Sequence, residues 1–268
     1  MPEPMTANEI FERLKATPRQ VQIDGTSYYV VEGDLFLNET ELFAYAARRA
    51  AEQQVAAGGV SVQREGLVGM TDDAGKLVRW RKGLLLTYCI LRSTFASEEQ
   101  YQVVVRAMRQ ATSGWEALCG VNFKHLKVLD DGSQASNERC IFKVAGGDSR
   151  GKFIAVAFFP NQPETRRSVY IDPTFFAPNL GFEQAGVLRH ELGHVLGFRH
   201  EHIRSGAPPA CPDEPLENTL NLTNYDPKSV MHYFCGQVGS KELAFTEFDR
   251  QGARAVYGPP DREVAYFG

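Results

Sequence analysis

The sequence predicts an α+β fold, and three features predict it. Short apolar runs with strand character recur between residues 83 and 171. Longer amphipathic segments with recognisable caps lie before, among and after them. An irregular stretch rich in Pro and Asn, Ser205–Lys228, breaks both periods and separates the strand-bearing region from a final helix.

A first region runs to roughly residue 66. Ile10, Phe11 and Leu14 recur at helical spacing and predict a helix over residues 7–15. Strand-like runs at Val21–Ile23 and Tyr28–Val31 flank the turn pair Asp24-Gly25. Residues 40–57, rich in Ala, Glu, Arg and Gln, predict a second helix. Gly58–Lys76 is Gly-rich and polar and reads as a linker. The larger region opens with a strand over Gly83–Ile90. Ser97 then serves as an N-cap with Gln100 completing a capping box. Tyr101, Val104, Met108, Ala111 and Trp115 form the buried stripe of the helix that follows. Strands are expected at Phe123–Val128, Cys140–Val144, Phe153–Phe158 and Ser168–Ile171, and a helix over Phe182–Leu196. A last helix runs from Thr246 to Gly258, where Pro259 and Pro260 prevent its continuation.

At 268 residues the chain is long enough for one large domain with an appendage. A net charge of -4 gives no electrostatic reason to expect nucleic acid or an anionic membrane as partner. No apolar run is long enough to span a bilayer. The opening MPEPMTANEIFERLK lacks the basic start and apolar stretch of a signal peptide. The 5 cysteines include no CxxC pair, so they do not read as a zinc knuckle. Cys211 and Cys235 are candidates for a disulfide.

Five of the 6 histidines fall between positions 190 and 232, and three lie in the string His190-Glu191-Leu192-Gly193-His194-Val195-Leu196-Gly197-Phe198-Arg199-His200. Residues four apart share a helix face, so His190 and His194 can point at one ion. Glu191 is close enough to reach a water on that ion. Gly197 can take the left-handed conformation that stops the helix and lets His200 swing to the same point. Three protein ligands leave a position open for water, as a catalytic zinc requires. A structural zinc usually closes with a fourth ligand, often Cys, and no Cys lies inside the motif.

The string resembles the zinc motif of the metzincin peptidases, and Glu201 directly after His200 resembles their astacin branch. Ser229-Val230-Met231-His232-Tyr233 is similar to the astacin Met-turn. The resemblance implies that Met231 is a hydrophobic base under the zinc ligands. It implies that Tyr233 binds zinc at rest and swings away to stabilise the transition state. Glu201 would bond the amino terminus freed by maturation. Gly151–Pro160 resembles the edge strand that pairs with extended substrate, with Ala155, Val156 and Ala157 at its centre, and Arg79–Gly83 resembles the opening of an astacin catalytic domain. The resemblance spans about Trp80 to Gly258. The stretch between His200 and the Met-turn is shorter than in typical astacins, and no Cys follows Cys235.

The fold implied is metzincin-type: a twisted mixed sheet with the active-site helix above, and an irregular lower subdomain with the Met-turn and the C-terminal helix. The function implied is a zinc endopeptidase with one catalytic Zn2+, Glu191 as general base and peptide or protein as substrate. A monomer is expected, and secretion is implied by family alone. Val31-Glu32-Gly33-Asp34 is similar to the pro-segment pattern whose Asp blocks the zinc, with Val31 in place of Phe. The expected division is therefore a pro-segment over 1–66, with Asp34 as a zinc-blocking ligand, and a catalytic domain over 67–268. The rival readings are a zinc protein without peptidase activity and an N-terminal interaction module. Gly146–Phe153 nearly matches a phosphate-binding loop, but Phe153 stands where Ser or Thr is needed, so it reads as a hairpin connection. Basic residues at Arg79–Lys82 read as a solvated edge.

Overall fold

A computed structural model of the protein describes residues 5–17, 20–23, 26–31, 35–57, 67–132, 140–203, 211 and 219–263. The N-terminal part pairs two helices with a small sheet. Helix α1, Ala7–Lys15, starts at Thr6, whose hydroxyl accepts from Glu9 N while the Glu9 carboxylate accepts from Thr6 N, so two otherwise orphaned donors are satisfied. It packs on α2, Glu39–Ala57, through Ile10, Ala46 and Ala50. Strands β1, Gln20–Ile23, β2, Thr26–Val31, and β3, Leu35–Leu37, form an antiparallel sheet. The sequence reading had no strand at β3, whose run of only three residues is fixed by its pairing with β2. The turn Asp24-Gly25, Asp34 and positions 58–66 of the expected linker lie outside the described residues.

The rest of that linker is ordered structure. Val68–Met70 is strand β4, with Leu67 and Val68 each 1% exposed. It pairs antiparallel with β10, Thr219–Asn221, a strand inside the stretch expected to be irregular. Gly and polar neighbours hid it, because β4 is created by long-range pairing and carries no periodic signal of its own.

The main sheet holds β5 (Leu85–Ile90), β6 (Asn122–His125), β7 (Phe142–Gly146), β8 (Ala155–Val156) and β9 (Ser168–Ile171), in the order β6-β5-β7-β9-β8. All neighbours are parallel except β8 on β9. Because β9 lies between β7 and β8, Gly147–Ile154 crosses over it, and the expected hairpin is corrected. Helix α3, Glu98–Leu118, is capped by Ser97, but the Gln100 side chain bonds Ala96 N, so the capping box does not close. Its expected stripe is buried: Val104, Met108, Ala111 and Trp115 are 0% exposed and Tyr101 is 1%. Helix α4, Gln184–Val195, packs beside α3, and the Trp115 indole donates to Arg189 O at 2.9 Å. These helices share one core with β5, β7 and β9.

The N-terminal sheet sits on the outer face of the main one. Val21, Val30 and Phe36 pack on Phe153 and Val156, with the Phe36 and Phe153 rings edge to face at 5.1 Å. Arg166 pairs with Glu41 and donates to Phe36 O at 2.8 Å, and the Lys152 ammonium reaches Gln20 O.

Helix α5, Glu247–Tyr257, closes the fold and holds the turn that matters most for the site. Asp249, 1% exposed, accepts from the Ser229 hydroxyl at 2.5 Å and from Val230 N and Thr246 N at 2.9 Å each. Burial pushes its carboxyl up to about 6, against the opposing pull of these donors. Removing the carboxylate strands three donors, two of them in the turn that carries Met231. Asp249→Ala should lower unfolding free energy by about 3 kcal/mol or more. Urea denaturation measures this, and a loss below ~1 kcal/mol would show that Asp249 is not the anchor.

Candidate metal centre

Helix α4 is buried on nearly all sides, and two glycines admit its neighbours. A Cβ on Gly193 would lie 2.2 Å from the Met231 sulfur and 3.4 Å from the Trp115 ring. Only the missing side chain lets the methionine turn press against the helix here. The helix then ends at Gly197, with φ +93°, where a Cβ would meet Val78 O at 2.2 Å. Phe198 N reaches back to Gly193 O at 2.9 Å, and three groups satisfy the last carbonyls: the Trp80 indole on Val195 O, the Tyr257 hydroxyl on Leu196 O and Gly197 N on His194 O.

The segment leaving Gly197 is held as an added strand on β4. Met70 N donates to Gly197 O at 2.8 Å, and Arg199 N to Val68 O at 2.7 Å. This places His200 beside the face of α4 that carries His190 and His194. The ligand atoms of the three histidines lie within 4.8 Å of one another, and all three residues are buried. His194 Nε2 and His200 Nε2 are 3.1 Å apart. Two nitrogens bound tetrahedrally at ~2.0–2.1 Å to one zinc would be roughly 3.3 Å apart, so the set fits. Two of the rings are also fixed from behind. His190 Nδ1 donates to Val230 O and His194 Nδ1 to Phe198 O, each at 2.8 Å. Holding the proton on Nδ1 leaves the Nε2 lone pair for a metal.

The remaining expected residues fall around this point. Glu191, 3% exposed, lines the same cavity of about 340 Å³ as His190 and Tyr233. Its far wall is apolar, with Phe182, Val187 and Leu243. The Tyr233 ring lies 4.4 Å from His200 and 5.6 Å from His190, centroid to centroid. Met231, 0% exposed, sits under the centre against Gly193. Glu201 is fully buried, and its Oε1 accepts from Asp226 N at 2.9 Å while its own N–H donates to Met231 O at 2.8 Å. It thus ties the segment after His200 to the methionine turn. Ala155 and Val156 form edge strand β8, and Ala157 lies just beyond it. That strand is shorter than the expected Phe153–Phe158, although Phe153, Ile154 and Ala155 line the cavity. Cys211 and Cys235 are joined by a disulfide that ties the turn to the preceding stretch.

Sequence reasoning missed two supports. Asp249 reads in sequence only as a helix-cap acid, and its reach to Ser229 and Val230 appears in three dimensions alone. His232 carries the second. Its Nδ1 donates to Tyr233 O at 2.5 Å, its Nε2 meets the Tyr225 hydroxyl at 2.9 Å, and burial pushes its pKa down. His232 therefore braces the backbone of Tyr233. Its place between Met231 and Tyr233 was the signal that could have found it.

The Matrixin family model, peptidase M10, matches residues 79–207. Matrix metalloproteinase-16 of Rattus norvegicus is 27% identical over 172 residues, 59% of this chain and 24% of that protein. An astacin-like metalloendopeptidase of Coturnix japonica is 47% identical over 62 residues, 18% of this chain and 15% of that one. The chain thus spans about a quarter or less of the curated relatives it matches. The solved structure of myroilysin is similar with a TM-score of 0.47 and 13% identity, over 71% of this chain and 98% of that one. The Matrixin match takes in His190, His194 and His200, the three residues whose ligand atoms converge here, and in both respects the chain is similar to the metzincin zinc peptidases, a family that works with zinc.

Proposed function

We propose that this protein is an endopeptidase that holds one zinc ion through His190, His194 and His200. The observation that carries the reading is the buried histidine set, with two Nδ1 protons tied to carbonyls and the Nε2 atoms turned inward. Zinc bound there would supply Lewis-acid chemistry, acidifying a water and polarising a peptide carbonyl. Glu191, one residue along the helix from a ligand and lining the same cavity, takes the proton from the attacking water on its carboxylate. The same carboxyl then hands the proton to the leaving amine. The Tyr233 hydroxyl donates to the oxyanion that develops on the substrate. Ala155, Val156 and Ala157 offer main-chain groups at a sheet edge, which extended peptide can pair. The apolar wall of Phe182, Val187 and Leu243 takes an apolar side chain next to the scissile bond.

Residues 1–66 act as a pro-segment in this reading, and residues 67–268 as the catalytic domain, with Asp34 occupying the open zinc position. Two observations support it. The resemblance of Glu32-Gly33-Asp34 to an inhibitory pattern is one. The other is the seating of the N-terminal sheet on Phe153 and Lys152, both of which line the cavity. A tethered carboxylate needs little intrinsic affinity to hold such a site. The cleavage that frees the domain must lie before Leu67, because Leu67, Val68 and Thr71 are buried and Val68–Met70 is paired in a sheet. A cut between Leu67 and Thr71 would remove part of the strand that positions His200. Substrate is peptide or protein, and a monomer without nucleic acid or membrane is the simplest form. Among the described residues, no helix is long and apolar enough to cross a membrane.

The mechanism is tested with a fluorogenic peptide and metal analysis on the same samples. Glu191→Ala should keep its zinc and lose at least ~10²-fold in kcat/KM, whereas Tyr233→Phe should lose roughly 10–10³-fold in kcat with little change in KM. His194→Ala should lose the metal itself. Normal turnover by Glu191→Ala would exclude the carboxylate as base.

Latency requires three proteins to be compared: the full chain, its Asp34→Ala variant and a form beginning at Leu67. The full chain should be slow, and both altered forms at least ~10-fold faster. If the full chain already matches the truncated form, residues 1–66 are an interaction module and Asp34 does not block zinc.

A further inference from the structure

Away from the cavity, the main sheet holds a pair of thiols that the peptidase reading does not use. Cys89 lies on β5, and Cys140 lies two residues before the adjacent parallel strand β7. Their sulfur atoms are 3.2 Å apart. Cys89 is 2% exposed and alternates with Tyr88 and Ile90, so it faces away from the core those two enter. Cys140 is half-buried. The two positions are held in register by the ladder, and by Ile141 N donating to Thr87 O at 2.8 Å. Cys119 supplies a contrast. It is 0% exposed, its Sγ lies against Trp115 O at 3.7 Å, and burial pushes its thiol up to about 12.

We propose that Cys89 and Cys140 form a thiol pair that a small-molecule disulfide oxidises to a second intrachain disulfide. Closing the bond requires the sulfurs to move from 3.2 Å to ~2.05 Å, a shift that rotation of a half-buried side chain supplies. Cys140 is the entry point, because it alone of the two is reached from solvent. The hydrogen bond with Cys89 lowers the Cys140 thiol's pKa, with the Lys143 ammonium adding to this, while the same bond and burial raise that of Cys89. The Cys140 thiolate attacks one sulfur of the small disulfide, whose S–S bond breaks and releases one small thiolate. The Cys89 sulfur then gives up its proton and attacks the Cys140 sulfur, which expels the second small thiolate. Two electrons pass from the protein thiols to the small disulfide, and the two protons the cysteines lose end on the two small thiols. The product ties the end of β5 to the entrance of β7.

The test is peptide mapping by mass spectrometry of the full-length protein. Folded protein is incubated with oxidised glutathione, quenched in acid, denatured, alkylated and digested without reduction. The expected result is one linked species joining the Cys89 and Cys140 peptides, with Cys119 recovered as an alkylated thiol. In Cys89→Ser, glutathione should remain on Cys140 as a mixed disulfide, and in Cys140→Ser, Cys89 should stay unmodified over the same time. Recovery of both Cys89 and Cys140 as alkylated thiols in the unmutated protein would overturn the proposal, as would glutathione accumulating on Cys140 there without the link. Should either variant fail to fold, the map of the unmutated protein decides the matter by itself.

Discussion

His200 lies eleven positions into a motif whose first two histidines belong to a straight helix, and a straight helix would carry the third away from them. The reversal at Gly197 is the constraint that everything else serves. It requires a left-handed backbone and a missing side chain, because Val78 O occupies the space a Cβ would fill. It also requires something to hold the chain after the turn. Strand β4 does this by pairing with Gly197 and Arg199 on one side and with β10 on the other. The Trp80 indole and the Tyr257 hydroxyl take up carbonyls at the helix end that the turn would otherwise leave bare.

The site is buried, and buried imidazoles are costly unless their nitrogens are satisfied, at about 1–3 kcal/mol for each group left unpaired. The fold meets this by aiming two backbone carbonyls, Val230 O and Phe198 O, at the nitrogens that face away from the centre. Val230 belongs to the methionine turn, and Phe198 to the segment after Gly197, so the two structural devices around the site also orient its ligands. The turn is locked from below by Asp249 and packed from above by Gly193. A helix, a glycine reversal and a methionine turn are therefore coupled through hydrogen bonds to two of the three rings, those of His190 and His194.

What the sequence disclosed was whatever is local. The cap at Ser97, the extent of the last helix from Thr246, the stripe of α3 and the spacing of His190 and His194 each depend on residues within a turn or two. The convergence of the three histidines was legible because the motif itself encodes both the helix face and the break at Gly197. Strand β4 was not, since Val68-Gly69-Met70 has no alternation to detect and owes its extended form to partners more than a hundred residues away. Edge strand β8 shrank to two residues for a related reason: Phe153 packs under the N-terminal sheet, and only Ala155 and Val156 pair with β9. Asp249 and His232 act across elements, so their local sequence context could not reveal their partners.

In the proposed enzyme, three imidazole nitrogens are the only nitrogen or sulfur atoms of the protein that hold the single zinc. X-ray absorption at the zinc edge, on zinc-loaded protein freed of residues 1–66, reads this directly. The account predicts one zinc per chain with a first shell of three imidazole nitrogens at ~2.0–2.1 Å, completed by light oxygen scatterers, with no sulfur. A sulfur at ~2.3 Å, or a shell with fewer than three imidazoles, would contradict it.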